Sequence, residues 1–282
     1  MAATAAGTVA EALGSAVDAF RAAGVEAPRL DAEVLLAEAT GRDRAMLLAS
    51  PEDGVDAVAA RAFGAMVRRR LRREPVAYVL GRRGFRRIDL RCDARALIPR
   101  PETELLVDIA LELGPESVLD VGTGTGAIAL AIADEMPGCT VTAVDTSAQA
   151  LSLAGENVVA LGLAERVTLE LGPVPSSPRE FDLLVANLPY VRDDEWAGLA
   201  PEITKFEPRE ALTSGPDGLD AIRGLLVRLG PGGGLSAGAV ALEIGSEQGE
   251  AVAELVRAAG YGDVEVRKDL AGLDRAVIGR IV

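Results

Sequence analysis

The chain has 282 residues, of which 49% are hydrophobic but only 3% aromatic, so Ala, Leu and Val must fill the core of one large domain or two modest ones. There is no histidine, which excludes His-based general bases, catalytic triads and most zinc sites; no metal is expected. The net charge of −14 repels nucleic-acid phosphate in general, which leaves only local basic strips for such contacts.

Residues from about 8 to 75 read as helices. Val9, Leu13, Val17 and Phe20 recur at three-to-four spacing. Leu30, Ala32, Leu35, Leu36 and Ala39 do the same, with Gly41 as a stop. Ser50 to Gly54 is a break in which Pro51 suits a helix start, and a third helix is expected over 55–73. These helices form a small module rather than a catalytic unit. Its strip Arg68-Arg69-Arg70-Leu71-Arg72-Arg73 reads as a solvated helix face, and the later strip Arg82 to Arg87 as part of a hairpin. Residues 76–98 change character. Val76 to Leu80, a Gly-containing turn and Phe85 to Leu90 suggest a β-hairpin linking two domains.

From residue 99 onward helices and strands alternate. Helices are expected near 102–113, 125–135, 147–161, 216–229 and 247–260. Strands are expected near 117–121, 140–144, 166–171, 181–186 and 238–244, with a closing pair near 263–267 and 274–282. Gly232-Gly233-Gly234 reads as a turn before a strand. Strands separated by helices imply an α/β fold with a doubly wound, largely parallel sheet and an antiparallel edge strand. The domain expectation is therefore 1–75 helical, 76–98 hairpin linker and 99–282 catalytic. No run of 18 apolar residues lacks charge, so no membrane span is expected, and Met1 to Gly7 lacks the basic stretch of a secretory signal. Cys92 and Cys139 are too few for a disulfide framework and read as inert thiols of a cytoplasmic protein.

Two strand ends carry chemistry. Ser117-Val118-Leu119-Asp120-Val121 runs into Gly122-Thr123-Gly124-Thr125-Gly126 and then a helix pattern. Glycines there let the backbone approach a ligand closely. No Gly-Lys-Ser/Thr follows, so a P-loop is excluded, and the spacing differs from the dinucleotide fingerprint. Asp120 is expected to face a cationic or amine-bearing ligand. Asp145 ends the next strand, where an acid typically accepts from both hydroxyls of a ribose. This combination resembles the S-adenosyl-L-methionine site of class I methyltransferases. The second end is Phe181 to Ala186 followed by Asn187-Leu188-Pro189-Tyr190. It offers one primary amide, one exposed carbonyl, a stiffened turn and a ring that can stack on a flat group, which suits methylation of a planar NH2.

Further segments resemble the release factor glutamine methyltransferases, the HemK family, over nearly the whole chain. They are Arg73 to Gly81, Phe85, Leu97-Ile98-Pro99-Arg100-Pro101-Glu102-Thr103-Glu104, Phe206 to Leu212, Leu242 to Gln248 and Asp269 to Arg275. Asn-x-Pro-Tyr alone is shared with adenine methyltransferases, whereas the Ile-Pro-Arg-Pro-Glu-Thr-Glu stretch is more specific. The resemblance implies a class I methyltransferase with an N-terminal helical docking module, acting in the cytoplasm as a monomer, with no stable nucleic acid or membrane partner. The implied reaction transfers a methyl from S-adenosyl-L-methionine, leaving S-adenosyl-L-homocysteine, to the side-chain nitrogen N5 of the glutamine in the Gly-Gly-Gln motif of class 1 peptide-chain release factors. Asp120, the Gly122 to Gly126 loop, Asp145 and Asn187 would hold the cofactor. Asn187, Leu188, Pro189 and Tyr190 would hold the glutamine. Phe85, Arg100, Pro101, Glu102 and Thr103 would shape the substrate pocket between the domains. Two departures stand out. Leu188 replaces the first proline of the usual Asn-Pro-Pro-Tyr, as in RNA adenine dimethyltransferases. Pro173 occupies a position where an acid often meets adenine, which leaves Glu170 or backbone groups to substitute. The alternatives are glutamine methylation of another translation protein such as a ribosomal protein, adenine N6-methylation of nucleic acid, and a non-catalytic binding module.

Overall fold

A computed structural model describes residues 7–177, 179–229 and 234–281. In chain order α1 (Val9–Ala22), α2 (Pro28–Thr40), α3 (Arg44–Ala49), α4 (Ala57–Leu71) and α5 (Val76–Leu80) precede β1 (Arg82–Phe85) and β2 (Ile88–Arg91). Next come α6 (Glu104–Leu113), β3 (Ser117–Val121), α7 (Ala127–Glu135), β4 (Thr140–Asp145), α8 (Ala148–Leu161), β5 (Val167–Leu171) and β6 (Arg179–Ala186). The chain closes with α9 (Pro201–Phe206), α10 (Asp220–Leu229), β7 (Leu235–Glu243), α11 (Gly249–Ala258), β8 (Asp263–Lys268) and β9 (Asp274–Arg280). It divides into two compact units. One runs to Gly81 and includes Ala200–Phe206; the other holds Arg82–Leu199 and the chain from Glu207 on.

The helical unit packs around Phe20, Leu35, Leu36, Leu47 and Phe63. α1 starts at a capping box, with Glu11 N donating to Thr8 Oγ1 (3.2 Å) and Thr8 N donating to Glu11 Oε2 (2.8 Å). α2 stops at Gly41, which adopts a left-handed φ of 65°. Pro51 does not begin a helix. It sits in a turn, and α4 starts at Ala57, where the Asp56 carboxylate accepts from Val58 N and Ala59 N. α3 is too short to show a period in sequence.

Residues 76–80 form a helix, not the expected strand. Pro75 precedes it, Gly81 ends it at φ 71°, and Val79 packs into the helical core. The end of so short a helix leaves carbonyls unpaired. Arg69 Nη1 donates to Val79 O and Nη2 to Tyr78 O, both at 2.9 Å, so tertiary contacts override the β preference of Val and Tyr. Of the arginine strip only Arg68 and Arg72 are exposed as expected of a solvated face. Arg70 is 5% exposed and pairs with Asp31 and Glu202, each at 2.8 Å, while Arg73 pairs with Glu202 at 2.6 Å. In the other unit Arg86, at the tip of the β1–β2 hairpin, donates to both oxygens of Glu135 and to Asp108.

The larger unit is built on a seven-stranded sheet in the order β5-β4-β3-β6-β7-β9-β8. β3 to β7 pair parallel, and β9 runs antiparallel to both β7 and β8 at that end of the sheet. Hydrophobic clusters cover both faces, one around Ile109, Leu130, Ile132 and Val185, the other around Leu119, Leu184, Leu242 and Val252. Strand order reverses between β3 and β6, which opens a crevice beyond their carboxyl ends. Both cysteines are buried and free, and burial pushes the Cys92 thiol up to about 12 and that of Cys139 to about 11. Of the expected turn Gly232-Gly233-Gly234, Gly232 and Gly233 lie outside the described residues. No helix among the described residues is long and apolar enough to cross a membrane.

Candidate active site

β3 ends at the sheet's switch point and delivers the glycine loop there. Gly122, Gly124 and Gly126 have φ of 74°, 58° and 85°, a left-handed backbone that side chains other than glycine strain to adopt. Gly122 N and Thr123 N donate to Val144 O, at 2.9 and 3.0 Å, tying the loop to the end of β4. There Asp145 Oδ2 accepts from Gly124 N (2.9 Å) and Oδ1 from Ser147 N (2.8 Å). A carboxylate has roughly four acceptor positions, so two remain for a ligand.

The loop borders a cavity of about 530 Å³, within the roughly 300–1,000 Å³ of small-molecule sites. Gly122, Gly124 and Asp145 line it, as do Asn187, Leu188 and Pro189 from the end of β6. A Cβ on Gly122 would stand 3.0 Å from Leu188 Cδ2, so the two motifs meet only because that side chain is absent. Gly172, Pro173 and Val174 form another wall. Glu170 does not substitute for the missing acid there, because it pairs with Arg179 (2.9 Å) and accepts from Ser176 N.

Asp120 is placed differently from expectation. It lies on the central strand on the side of Val118, beneath α7, and is fully buried away from the cavity. Oδ2 accepts from Thr123 Oγ1 (2.6 Å) and Ala129 N (3.2 Å), and Oδ1 has no partner among the described residues. Burial pushes its carboxyl up to about 7 against those two hydrogen bonds. Asp120 therefore folds the loop rather than facing a ligand. Thr123, Thr125 and Gly126 also shape the loop without lining the cavity.

Phe85, expected at the pocket, is 2% exposed in the apolar core with Ile88 and Leu90. Hairpin alternation explains it: Phe85 and Ile88 face one another across the tight turn. Arg100 pairs with Glu207 at 2.5 Å, and Glu207 also accepts from Ile98 N, so the segment around Ile98 to Arg100 is clamped to Glu207. Pro101, Glu102 and Thr103 form a 3-10 turn. Arg100, Pro101 and Glu102 do not line the cavity, but Thr103 Oγ1 accepts from Asn187 Nδ2 at 3.0 Å. With its nitrogen committed, the Asn187 amide keeps its oxygen for a ligand. Tyr190 lies outside the lining, half-buried, with its hydroxyl 3.5 Å from Glu243 Oε1. Burial and the Glu243 charge push that phenol up to about 12.

Other contributors carry no site signal of their own in the sequence. Gln248 clamps the loop, its Nε2 donating to Tyr190 O (3.0 Å) while Oε1 accepts from Gly245 N (2.9 Å). Glu243 lies beneath Tyr190. Both stand in the Leu242 to Gln248 segment, whose likeness to the family was the available signal. α10 supplies Leu225 and Arg228 to the cavity, and nothing in its amphipathic pattern marks them.

The sheet order, the glycine cradle and the acid at the end of the second strand define a class I methyltransferase, Rossmann-like, with an N-terminal helical domain. Residues 11–81 match the family described as PrmC N-terminal domain, and residues 101–214 the methyltransferase small domain. The chain is 43% identical over 277 residues to the release factor glutamine methyltransferase of Cereibacter sphaeroides, covering 96% of this chain and 98% of that one. It is 44% identical over 282 residues to that of Moorella thermoacetica, with the same coverage. Among solved structures, the hMettl16 catalytic domain in complex with MAT2A 3'UTR hairpin 6 superposes with a TM-score of 0.55 at 14% identity, covering 68% of this chain and 75% of that one, a likeness of fold. The chain belongs to the release factor glutamine methyltransferase family.

Proposed function

We propose that this protein transfers a methyl group from S-adenosyl-L-methionine to the side-chain nitrogen N5 of the glutamine in the Gly-Gly-Gln motif of class 1 peptide-chain release factors. The observation that carries the reading is that the Asn187 to Pro189 turn and the Gly122 to Gly124 loop border one cavity, with Asp145 on the same rim. The residues present fit the cofactor: glycines without side chains admit it, and Asp145 keeps two acceptor positions for ribose hydroxyls. Pro173 and Val174 offer adenine an apolar wall in place of an acid.

When bound, S-adenosyl-L-methionine supplies a methyl on a sulfonium, a good leaving group, and departs as S-adenosyl-L-homocysteine. The chain's own work is positioning. An amide nitrogen is a poor nucleophile, and no histidine is present to deprotonate it. Asn187 Oδ1 and the Leu188 carbonyl accept the two N–H groups of the target amide, exclude water from it and favour positive charge building on nitrogen; after transfer the methylated nitrogen is strongly acidic and loses one of those protons to solvent, which restores the neutral amide. Holding the reacting groups at near-attack distance contributes about 7–11 kcal/mol. Leu188 supplies the same carbonyl that a proline would.

The net charge of −14 suits a basic protein partner and disfavours stable nucleic-acid binding. The same reading has the protein act as a monomer in the cytoplasm. The test is methyl transfer to a purified release factor, comparing native Gly-Gly-Gln with its Gln→Ala variant and locating the product by mass spectrometry. One added methyl on that glutamine in the native protein alone is the expected result. No transfer despite cofactor binding would overturn the substrate and point to another glutamine-bearing protein or nucleic acid.

A further inference from the structure

Strand pairing places one more loop at the edge of the sheet that carries the site. β6 and β7 run parallel with Ala186 beside Leu242, and β9 runs back along β7 with Glu243 beside Ala276 and Leu242 beside Val277. The turn between β8 and β9, residues 269–273, therefore stands beyond the carboxyl end of β7, on the same side as the Asn187 to Tyr190 turn. Neighbouring strands lie about 4.8 Å apart, so the order β6-β7-β9-β8 puts this turn roughly 10–15 Å from the end of β6. A protein large enough to cover the cavity and the Asn187 to Tyr190 turn also reaches it.

The turn is held from several sides. Asp269 N donates to Leu273 O (2.8 Å) and Gly272 N to Asp269 O (2.9 Å). The Asp269 side chain reinforces this: Oδ1 accepts from Ala271 N (2.9 Å) and Leu273 N (3.0 Å), as aspartates in turns do. Its Oδ2 accepts from Arg275 Nη2 (3.1 Å), and Arg275 Nη1 donates to Ile244 O (3.3 Å). Ile244 adjoins Gly245, whose N–H is held by the same Gln248 side chain that holds the Tyr190 carbonyl. The Asp269 to Arg275 segment, one of the stretches that resemble the family, is thus tied by hydrogen bonds to the Asn187 to Tyr190 turn.

What this framework displays is apolar. Leu270 is 110% exposed and Leu273 49%, and Ala271 and Gly272 between them are exposed as well. A single exposed leucine needs no explanation, but turns ordinarily carry polar residues. Here two leucines share one turn, and its flanking charges are paired, Asp269 with Arg275 (3.1 Å) and Lys268 with Asp274 (2.8 Å). A preordered apolar tip loses little freedom on binding, so its contact area converts well into affinity. We propose that Leu270 and Leu273 form a docking surface for the protein that presents the glutamine, received by an apolar patch beside the Gly-Gly-Gln motif of that protein. This rests on the function proposed above, because methylating a glutamine within a folded protein brings that protein's surface over this edge of the sheet.

The experiment compares wild type with Leu270→Ser, Leu273→Ser, the double variant and Val159→Ser. Val159 is also exposed (76%), but α8 joins parallel β4 to β5, so its last turn lies at the amino ends of the strands, away from the site. The measurements are kcat and KM for a purified release factor, its dissociation constant with S-adenosyl-L-homocysteine present, S-adenosyl-L-methionine affinity by calorimetry, and mass by light scattering. The double variant should raise KM and the dissociation constant about tenfold or more, the size of one buried leucine returned to water. Its kcat, cofactor affinity and Tm should match wild type, because surface substitutions leave the core intact. Val159→Ser should match wild type throughout. A double variant whose KM and dissociation constant stay within about twofold of wild type, or a loss shared by Val159→Ser, would overturn the inference while the function stands. So would a wild-type dimer that the double variant converts to monomer, which would make the tip a contact between copies of this chain. Wild-type enzyme that binds cofactor but leaves the release factor unmethylated would overturn the function, and this occupant with it.

Discussion

Asp120→Asn should stabilise the protein at neutral and alkaline pH. The native carboxyl is fully buried, with two donors on Oδ2 and none on Oδ1, and its pKa rises to about 7 from an ordinary 3.8. Between those values the folded chain holds a proton that the unfolded chain has released. Stability from this group is thus complete below about pH 4 and is lost as pH rises through about 7. At about 1.4 kcal/mol per decade the full displacement corresponds to about 4 kcal/mol, an upper bound. Mutational data for buried polar groups without partners give about 1–3 kcal/mol, which is the expected gain at pH 8. Asparagine keeps an oxygen for Thr123 and Ala129 and places an uncharged NH2 where Oδ1 stood. The assay is urea unfolding of both proteins from pH 5 to 8, with equal m-values as the check that only stability has changed. Glu243 titrates in both proteins and cancels in the difference. The gap should widen with pH, and the variant should still bind S-adenosyl-L-methionine, because Asp120 does not line the cavity. A gap that does not change with pH, or a variant less stable at pH 8, would refute the reasoning.

Asn187→Ala should lower kcat about 100-fold with little change in KM, because the lost contact matters most as charge develops on nitrogen; steady-state kinetics on a release factor check it. Asp145→Ala should weaken S-adenosyl-L-methionine binding about 10- to 100-fold, the size of a charged hydrogen bond or two, read by calorimetry. Gly126→Ala forces a side chain into φ 85° and within 2.9 Å of Leu130 Cδ1; a penalty of at least about 1–2 kcal/mol should lower Tm by roughly 2–8 °C. Arg70→Ala leaves the part-buried Asp31 without its ion partner and removes one of the two partners of Glu202, which keeps Arg73, and should destabilise the helical unit by about 1–3 kcal/mol, measured by chemical denaturation.

Sequence alone determined the parts of this protein that depend on local rules. The strand Ser117–Val121, the glycine loop and Asp145 were legible because period, glycine spacing and strand-end position are written in neighbouring residues. The Asn187 to Tyr190 turn was legible for the same reason, as were the helix stop at Gly41 and the closing strand pair. Tertiary structure decided what depends on partners far along the chain. Val76 to Leu80 became a helix because Arg69 takes its carbonyls and the core takes its side chains. Asp120 looks like a ligand-facing residue in sequence and Phe85 was placed at the pocket by resemblance, but a central strand and a hairpin turn them into the interior. Glu243 and Gln248 reach the Asn187 to Tyr190 loop only because β7 lies beside β6 in the sheet. A burial direction is a property of the assembled sheet, and no local pattern carries it.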